Sequence, residues 1–200
     1  MLALHLRDQS PSRVAAWRAH FEDRSEVDVS EGPIFHRTAD ALVSPANSFG
    51  YMDGGIDLVY VEHFGWDLED RVRQAIAEDW GGELPVGCAL IVPTGRPEGD
   101  IRWLICAPTM RVPMNVARTP NAYLAFRAAL RAVQAHNEGP LRSIASVMSP
   151  GLGTGVGRMP AELCARQMRA AWDEVVHGLR DRLGGLAGEA RRHMSLLGLE

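Results

Sequence analysis

The sequence predicts an α/β fold, with a mixed, largely parallel sheet of about six strands and helices on both of its faces. The first observation is that short apolar runs alternate with stretches of helical periodicity along the chain. The second is that two glycine-rich loops each lie between a predicted strand and a predicted helix. The third is the length of 200 residues, 46% of them hydrophobic, which suits one domain around a single core.

The order of the elements follows from the apolar runs and from the helix signals between them. Ser10-Pro11 predicts a helix start, with serine as the N-cap and proline at the first helical position. Thr119-Pro120 predicts the start of a later helix, and Gly81-Gly82 predicts the end of the helix over residues 67–80. The predicted strands are residues 2–6, 27–29, 41–43, 86–92, 103–107 and 143–148. The predicted helices are residues 11–21, 56–64 and 67–80, one from residue 120 to beyond 133, and one from residue 160 to 179.

Residues 1–183 are predicted to form a single domain, because no repeat or internal boundary interrupts them. Two alternatives stay open for residues 184–200, which are predicted to be either a tail or a short docked helix. Helical spacing predicts that Val59 and Tyr60 are buried, and that Leu179 faces inward from the last long helix.

Charge and residue usage exclude several classes of function. The net charge of −4 gives no basic footprint for general nucleic-acid binding. No apolar run approaches the roughly 20 residues of a membrane span, and the N-terminus lacks the layout of a signal peptide. We therefore expect a cytoplasmic protein with no membrane partner, and the oligomeric state stays open. All 21 basic residues are arginine, so chemistry that needs a lysine side chain is excluded.

The cysteines and histidines give no sign of a metal site. Cys88, Cys106 and Cys164 stand far apart without a C-x-x-C pair, which favours reduced core residues over catalysis or metal binding. The seven histidines are equally scattered. The sequence therefore predicts neither a bound metal nor a cofactor.

The first glycine loop follows the apolar run 41–43 and precedes a helix that begins near Ile56. It carries Asn47, Ser48, Asp53 and the pair Gly54-Gly55. Paired glycines at a helix N-terminus suit an anion, because free backbone N–H groups and the positive end of the helix dipole point the same way. Such a loop alone is weak evidence, since most are only turns.

The second glycine loop, residues 150–158, reads Pro-Gly-Leu-Gly-Thr-Gly-Val-Gly-Arg and also lies between a strand and a helix. Ligands of open α/β sheets sit beyond the carboxyl ends of the strands, and both loops leave strands at that edge. The two loops can therefore converge on one ligand. Two facing backbone anion sites suggest a pyrophosphate.

This arrangement resembles the macrodomain family, whose members bind ADP-ribose and often hydrolyse its links to proteins or nucleic acids. The family's first loop runs N-A-A-N, a spacer and G-G-G-[VI]-D, and residues 44–47 and 53–57 are similar to it, with ten residues from Asn47 to Asp57. The second loop, S-T-G-[VI]-[YF]-G-x-P, is similar to residues 153–160. The resemblance implies a three-layer α/β/α sandwich and covers residues from about 25 to 182.

The resemblance also implies roles for individual residues. Asn47 and Asp57 are the implied catalytic pair: Asn47 holds the distal ribose, and Asp57 orients or activates a water near its anomeric carbon. The implied ligand-binding residues of the two loops are Ser48, Asp53, Gly54, Gly55, Ile56, Gly153, Thr154, Gly155, Val156, Gly157 and Arg158. The implied adenine side comprises Glu31, Gly32 and Pro33.

Four positions depart from the family pattern. Ser44 replaces an asparagine, and Asp53 replaces a glycine and adds negative charge beside a phosphate. Gly157 replaces the aromatic residue that packs on the distal ribose, so Phe49 or Tyr51 would have to cover that wall. Pro33 replaces the acidic residue that reads the adenine amino group, leaving Glu31 or Asp28 as substitutes.

Three functions fit these residues. One is an ADP-ribosyl glycohydrolase that acts on a modified macromolecule with a water nucleophile. The second is a reader module that binds free or attached ADP-ribose, or another nucleotide diphosphate, without turnover. The third is a scaffold whose pocket prefers another nucleotide, such as the guanine counterpart. For single residues, Asn47 could merely close a turn, and Asp57 could simply favour the helix dipole.

Overall fold

The computed structural model describes residues 2–97, 100–140, 143–179 and 185–199. It contains one six-stranded sheet in the order β2-β1-β6-β3-β5-β4. The strands are β1 (Ala3–Asp8), β2 (Val27–Glu31), β3 (Ala41–Ser44), β4 (Leu90–Pro93), β5 (Trp103–Cys106) and β6 (Ser146–Ser149). The helices are α1 (Pro11–Phe21), α2 (Gly55–Phe64), α3 (Asp67–Trp80), α4 (Asn121–Glu138), α5 (Ala161–Val176) and α6 (Gly185–Leu196).

The sheet is parallel except at one edge, which confirms the predicted fold class. β1 pairs in parallel with β2 and β6, and β3 pairs in parallel with β5 and β6. Only β4, which pairs with β5, runs antiparallel. The carboxyl ends of the five parallel strands therefore lie at one edge of the sheet, where the two glycine loops begin.

The sheet lies between two helical layers. Val43, Ile105 and Val147 belong to the core cluster that also holds buried residues of α1, α4 and α5. Their chain neighbours on the same strands, including Leu42 and Leu104, belong to the cluster with α2 and α3. Successive residues of a strand point to opposite faces, so a strand covered on both faces reads as a continuous apolar run. This burial on both faces explains why β3 could be predicted from the apolar run at residues 41–43.

The structure corrects three details of the sequence prediction. The predicted strand 86–92 begins only at Leu90, because Cys88 N–H donates to Pro85 O at 3.0 Å and Gly87 has a φ of +94°, which turns the chain. Leu179 lies beyond α5 and is 59% exposed, since that helix ends at Val176. Val59 is also exposed, because its side of α2 faces a cleft and not the core.

Within residues 184–200, residues 185–196 form α6, which contacts α5. Leu196 is buried, and its carbonyl accepts a hydrogen bond from Gln167 Nε2 at 2.9 Å. Arg192 Nη2, one turn earlier in the helix, donates to Glu174 Oε2 at 2.7 Å, so the C-terminal half of α6 is held against α5. The predicted domain boundary at residue 183 falls outside the described residues. None of the helices in the described part of the chain has the length and hydropathy to cross a membrane.

Candidate functional site

A cleft of about 370 Å³ runs along the carboxyl edge of the parallel strands. Most of its lining comes from the ends of the parallel strands: Gly32 and Ile34 follow β2, Arg7 and Asp8 end β1, and the loops after β3, β5 and β6 contribute. Residues of α1 and α2 complete the lining. The site therefore lies where open α/β sheets bind ligands.

Both glycine loops line this one cleft. Gly54 and Gly55 form its wall beside β3, and residues 153–157 form the wall beside β6. A Cβ atom built on Gly54 or Gly155 would meet no heavy atom within 4 Å, so the backbone at both positions faces open space. Gly54 is also the N-cap of α2, whose first turn has no side-chain cap. Its N–H groups and dipole are therefore available to an anion in the cleft.

The second glycine loop is tightly folded on itself. Met159 N–H donates to Gly153 O at 3.0 Å, and Val116 N–H donates to Gly157 O at 2.8 Å. A Cβ on Gly157 would lie 2.3 Å from Gly153 O and 2.7 Å from Val116 Cγ2. Residue 157 must therefore be glycine in this backbone course, because any side chain would collide with the loop.

Asp57 is the buried carboxylate of the cleft. It lies in the first turn of α2 and is 7% exposed, and Ser44 Oγ donates to its Oδ1 at 2.6 Å. Burial raises the pKa of Asp57 to about 7, and the hydrogen bond from Ser44 partly opposes that rise. A carboxyl group with a pKa near neutral can exchange a proton with water at physiological pH, as a general base requires.

Asn47 also lines the cleft, but its side chain is engaged within its own loop. Nδ2 donates to Tyr51 O at 2.7 Å, and Oδ1 accepts from Phe49 N–H at 3.1 Å. These two bonds hold the loop after β3 in a local Asx-type turn. Asn47 therefore shapes the wall of the cleft through the backbone of residues 49–51.

Comparisons with known proteins agree with this geometry. The Macro domain family matches residues 43–168, more than half of the chain and both glycine loops. The chain belongs to the macrodomain family. It is 34% identical over 143 residues to an uncharacterized protein of Aquifex aeolicus, and the match covers 72% of this chain and 78% of that protein. It is 30% identical over 160 residues to a macro domain-containing protein of Streptomyces griseus, covering 77% and 85%.

Solved macrodomains share the fold of this macrodomain. The macrodomain of Mycobacterium tuberculosis DarG superposes with a TM-score of 0.60 at 23% identity, over 72% of this chain and 88% of that one. Thermosipho africanus DarTG, solved in complex with ADP-ribose, gives a TM-score of 0.57 at 18% identity, over 74% and 38%. The resemblance drawn from the two loop sequences is thus confirmed.

Most of the predicted site residues come together in the cleft of this macrodomain. They are Gly32, Asn47, Asp53, Gly54, Gly55, Ile56, Asp57, Gly153, Thr154, Gly155, Val156 and Gly157. Tyr51, one of the two aromatics considered for covering the distal ribose, also lines the cleft. Phe49 instead packs against Arg111, whose guanidinium carbon is 5.0 Å from the ring centroid.

Four predicted residues lie outside the cleft lining. Ser48 is 1% exposed, because the loop turns its side chain into the protein. Its backbone N–H donates to Arg111 O, and its carbonyl accepts from Leu84 N–H. Arg158 is exposed, has a φ of +54° and is not part of the lining. Glu31 is exposed, and Pro33 offers only its carbonyl, which accepts from Arg7 Nε at 2.8 Å. The predicted adenine side is therefore represented in the lining by Gly32.

Sequence reasoning missed the contribution of β1 and α1. Arg7, Asp8, Gln9 and Arg13 line the cleft, and Ser44 contacts Asp57 and not open space. The signal was present: polar residues at the predicted carboxyl end of the first strand belong to the ligand edge of a parallel sheet. No group of three or more His, Cys, Asp or Glu side chains within the described ranges could hold a metal ion.

Proposed function

We propose that this macrodomain binds ADP-ribose and hydrolyses ADP-ribosyl bonds on a modified macromolecule. The observation that carries the proposal is the convergence of Gly54-Gly55, residues 153–157 and the buried carboxylate of Asp57 on one cleft. The ADP-ribose complex of the structurally similar Thermosipho africanus DarTG supports this choice of ligand.

The order of the lining residues suggests how an extended ligand lies. The diphosphate occupies the space between the two glycine loops, where backbone N–H groups can receive its oxygens. The distal ribose then lies toward β3 and Asp57, and the nucleoside lies toward the ends of β1 and β2, beside Gly32 and Ile34. The cleft volume of about 370 Å³ lies within the range of small-molecule sites.

In the proposed reaction, a water molecule attacks the anomeric carbon of the distal ribose. The bond from that carbon to the macromolecule breaks with its electron pair leaving on the macromolecule, and a bond to the water oxygen forms. The ionised carboxylate of Asp57 accepts a proton from the water and stabilises the positive charge on the sugar, and the leaving group takes up a proton. Ser44 holds Oδ1 of Asp57, which leaves Oδ2 to receive the water.

A second function has an observation of its own. The side-chain amide of Asn47 is bonded to Tyr51 O and Phe49 N–H within its own loop, and these bonds would have to break for a contact with the distal ribose. A distal ribose without that contact would be held less rigidly, and loose positioning costs rate far more than affinity. This favours a reader that binds ADP-ribose, or another nucleotide diphosphate, without turnover.

The deciding experiment measures both binding and turnover. ADP-ribose binding is followed by calorimetry, and release of ADP-ribose from modified protein and from modified DNA is followed by chromatography. The hydrolase predicts release by the wild type, a loss of at least about tenfold in Asp57→Asn, and no change in Asp79→Asn, an exposed carboxylate of α3. Binding without release on any linkage selects the reader, and release undiminished in Asp57→Asn excludes the proposed mechanism.

A further inference from the structure

The lining of the cleft carries more carboxylates than cations, although a diphosphate ligand is itself negatively charged. Asp8, Asp53 and Asp57 are carboxylates, whereas Arg7 and Arg13 are the only cations among the described lining residues. Both arginines lie before residue 43, where the match to the Macro domain family begins. Because a diphosphate brings about two further negative charges, a cation in the cleft strongly affects its binding.

Arg13 is the cation that lies against the second glycine loop. Its Nη1 donates to Thr154 Oγ1 at 3.4 Å, and its Cδ would be 2.8 Å from a Cβ built on Gly151. Its Nη2 is 2.8 Å from Asp8 Oδ1. The Nε of Arg13 is buried, and no hydrogen-bond partner for it is found in the described part of the chain. One N–H donor of this guanidinium is therefore unused beside the loop.

Arg7 adds positive charge to the cleft from the end of β1, on the side of β2. It is 9% exposed, and its Nε and Nη1 donate to Pro33 O and Ser30 Oγ, both at 2.8 Å. No carboxylate of residues 2–97, 100–140, 143–179 and 185–199 forms an ion pair with it. A buried guanidinium that bonds only to neutral groups favours an anion nearby, because the ion gains back part of its lost hydration energy.

We propose that Arg13, supplied by α1, binds the diphosphate of the ligand at the second glycine loop, with Arg7 adding positive potential from the neighbouring end of β1. The inference rests on the proposed function, since it names the residue that receives the diphosphate of ADP-ribose. Binding requires that the guanidinium exchange Asp8 for a phosphate oxygen as its strongest contact, while Asp8 keeps the N–H groups of Ser10 and Gly151 as donors at 2.9 and 3.3 Å. Charge-assisted bonds of arginine to phosphate suit this exchange in geometry and strength.

A structural role of Arg13 predicts different results. If Arg13 only ties α1 to the second glycine loop through Asp8 and Thr154, its removal weakens all ligands of the cleft alike. If it binds the diphosphate, its removal weakens ligands in proportion to their phosphate charge. The comparison of ADP-ribose and ADP with AMP and adenosine separates the two roles.

The experiment measures the affinity of these four ligands by calorimetry for the wild type, Arg13→Met, Arg13→Lys and the control Arg18→Met. Arg18 is exposed on the same helix and does not line the cleft. We expect Arg13→Met to bind ADP-ribose and ADP at least about tenfold more weakly, AMP less so, and adenosine as the wild type does. Arg13→Lys should restore part of the loss, and Arg18→Met should match the wild type.

A second variant tests the inference with Arg13 left in place, so that its result does not depend on how well Arg13→Met folds. Asp8→Asn removes the carboxylate that competes for Arg13 but keeps an oxygen for Ser10 N–H, which donates to Oδ1 at 2.9 Å; only the longer contact from Gly151 N–H to Oδ2, at 3.3 Å, is lost. Diphosphate affinity should therefore rise, whereas a purely structural tie would make it fall. ADP-ribose affinity within threefold of the wild type in Arg13→Met, an equal loss for adenosine, or weaker diphosphate binding in Asp8→Asn overturns the inference. Absence of ADP-ribose binding by the wild type removes the proposed function and this inference together; retained binding in Arg13→Met removes the inference alone.

Discussion

Ser44 Oγ lies 2.6 Å from Asp57 Oδ1, so the last residue of β3 donates a hydrogen bond to the carboxylate in the first turn of α2. Both side chains are buried, and the bond joins the strand to the helix across the loop that carries Asn47. The serine that departs from the family pattern is therefore the group that orients the proposed general base.

We expect Ser44→Ala to move the pH dependence of hydrolysis upward. The hydrogen bond from Ser44 lowers the pKa of Asp57, which burial raises to about 7, so its loss raises that pKa further. Less Asp57 is then ionised at pH 7, and kcat/KM falls several-fold there while recovering at higher pH. The measurement is a pH profile of kcat/KM.

Thr94→Val is the matched control for this variant. Thr94 is also buried, and its Oγ1 donates to Ile101 O at 2.6 Å, remote from the cleft lining. Both variants should lose about 1 kcal/mol of unfolding free energy. An inflection that stays in place in Ser44→Ala would show that the serine does not set the pKa of Asp57.

We expect Asp57 to make the free energy of unfolding depend on pH. Its pKa is raised from 3.8 to about 7 in the folded protein, so between these values the folded state binds more protons than the unfolded state. Stability therefore falls as the pH rises from 4 to 7, by up to about 4 kcal/mol, and the penalty is constant above pH 7. Tyr60 and Cys106 stay neutral in this window, because burial and the charge of Asp57 raise their pKa values.

Urea unfolding at several pH values measures this dependence. Asp57→Asn should be more stable than the wild type above pH 7 and should show a flatter profile between pH 4 and 7. Equal slopes in the two proteins would mean that another group produces the pH dependence. A stabilised but inactive Asp57→Asn is the combination expected of a carboxylate that is kept for function at a cost in stability.

Gly155 and Gly157 of the second glycine loop should respond differently to substitution by alanine. A Cβ on Gly155, which lines the cleft, would meet no heavy atom within 4 Å, so Gly155→Ala should fold normally. We expect it to bind ADP-ribose at least about tenfold more weakly, because the methyl group would keep the diphosphate from the backbone of the loop. A Cβ on Gly157 would collide with Gly153 O, so Gly157→Ala should lose about 1–3 kcal/mol of stability.

Thermal unfolding and calorimetric titration of both variants give the comparison. The interpretation of the loop is wrong if Gly155→Ala is as destabilised as Gly157→Ala, or if it binds ADP-ribose as tightly as the wild type.

We expect Asn47→Ala to lower stability as well as ligand affinity. The substitution removes the bonds of Asn47 to Tyr51 O and Phe49 N–H, which together contribute about 1–2 kcal/mol. Asn47→Asp keeps the acceptor for Phe49 N–H and should lose less. Unfolding midpoints of the two variants test this, and full stability in Asn47→Ala would show that the loop does not depend on its side chain.

The sequence predicted the fold and the two loops because both rest on local, strong signals. β3 is buried on both faces and reads as an apolar run, and the residues of the two glycine loops keep the family's spacing around Asn47, Asp57 and Gly155. The sequence also indicated that both loops follow strands at the same edge of the sheet. The parallel pairing of β3 with β6 confirms this.

The remaining features depend on contacts between distant segments. Arg13 and Thr154 are 141 residues apart, and nothing local to either one indicates that they meet. In the sequence Ser44 is only a departure from the family's asparagine, whereas in the structure its hydroxyl donates to Asp57. Gly157 was interpreted as an open wall, although its environment is too crowded for a side chain. Such pairings require the three-dimensional course of the chain.

If both glycine loops hold one ligand, amide chemical shifts during an ADP-ribose titration will report on the two loops together. We expect the backbone N–H signals of Gly54, Gly55, Gly153 and Gly155 all to shift and to saturate with one common dissociation constant. Shifts confined to one loop, or two different dissociation constants for the two loops, would contradict it.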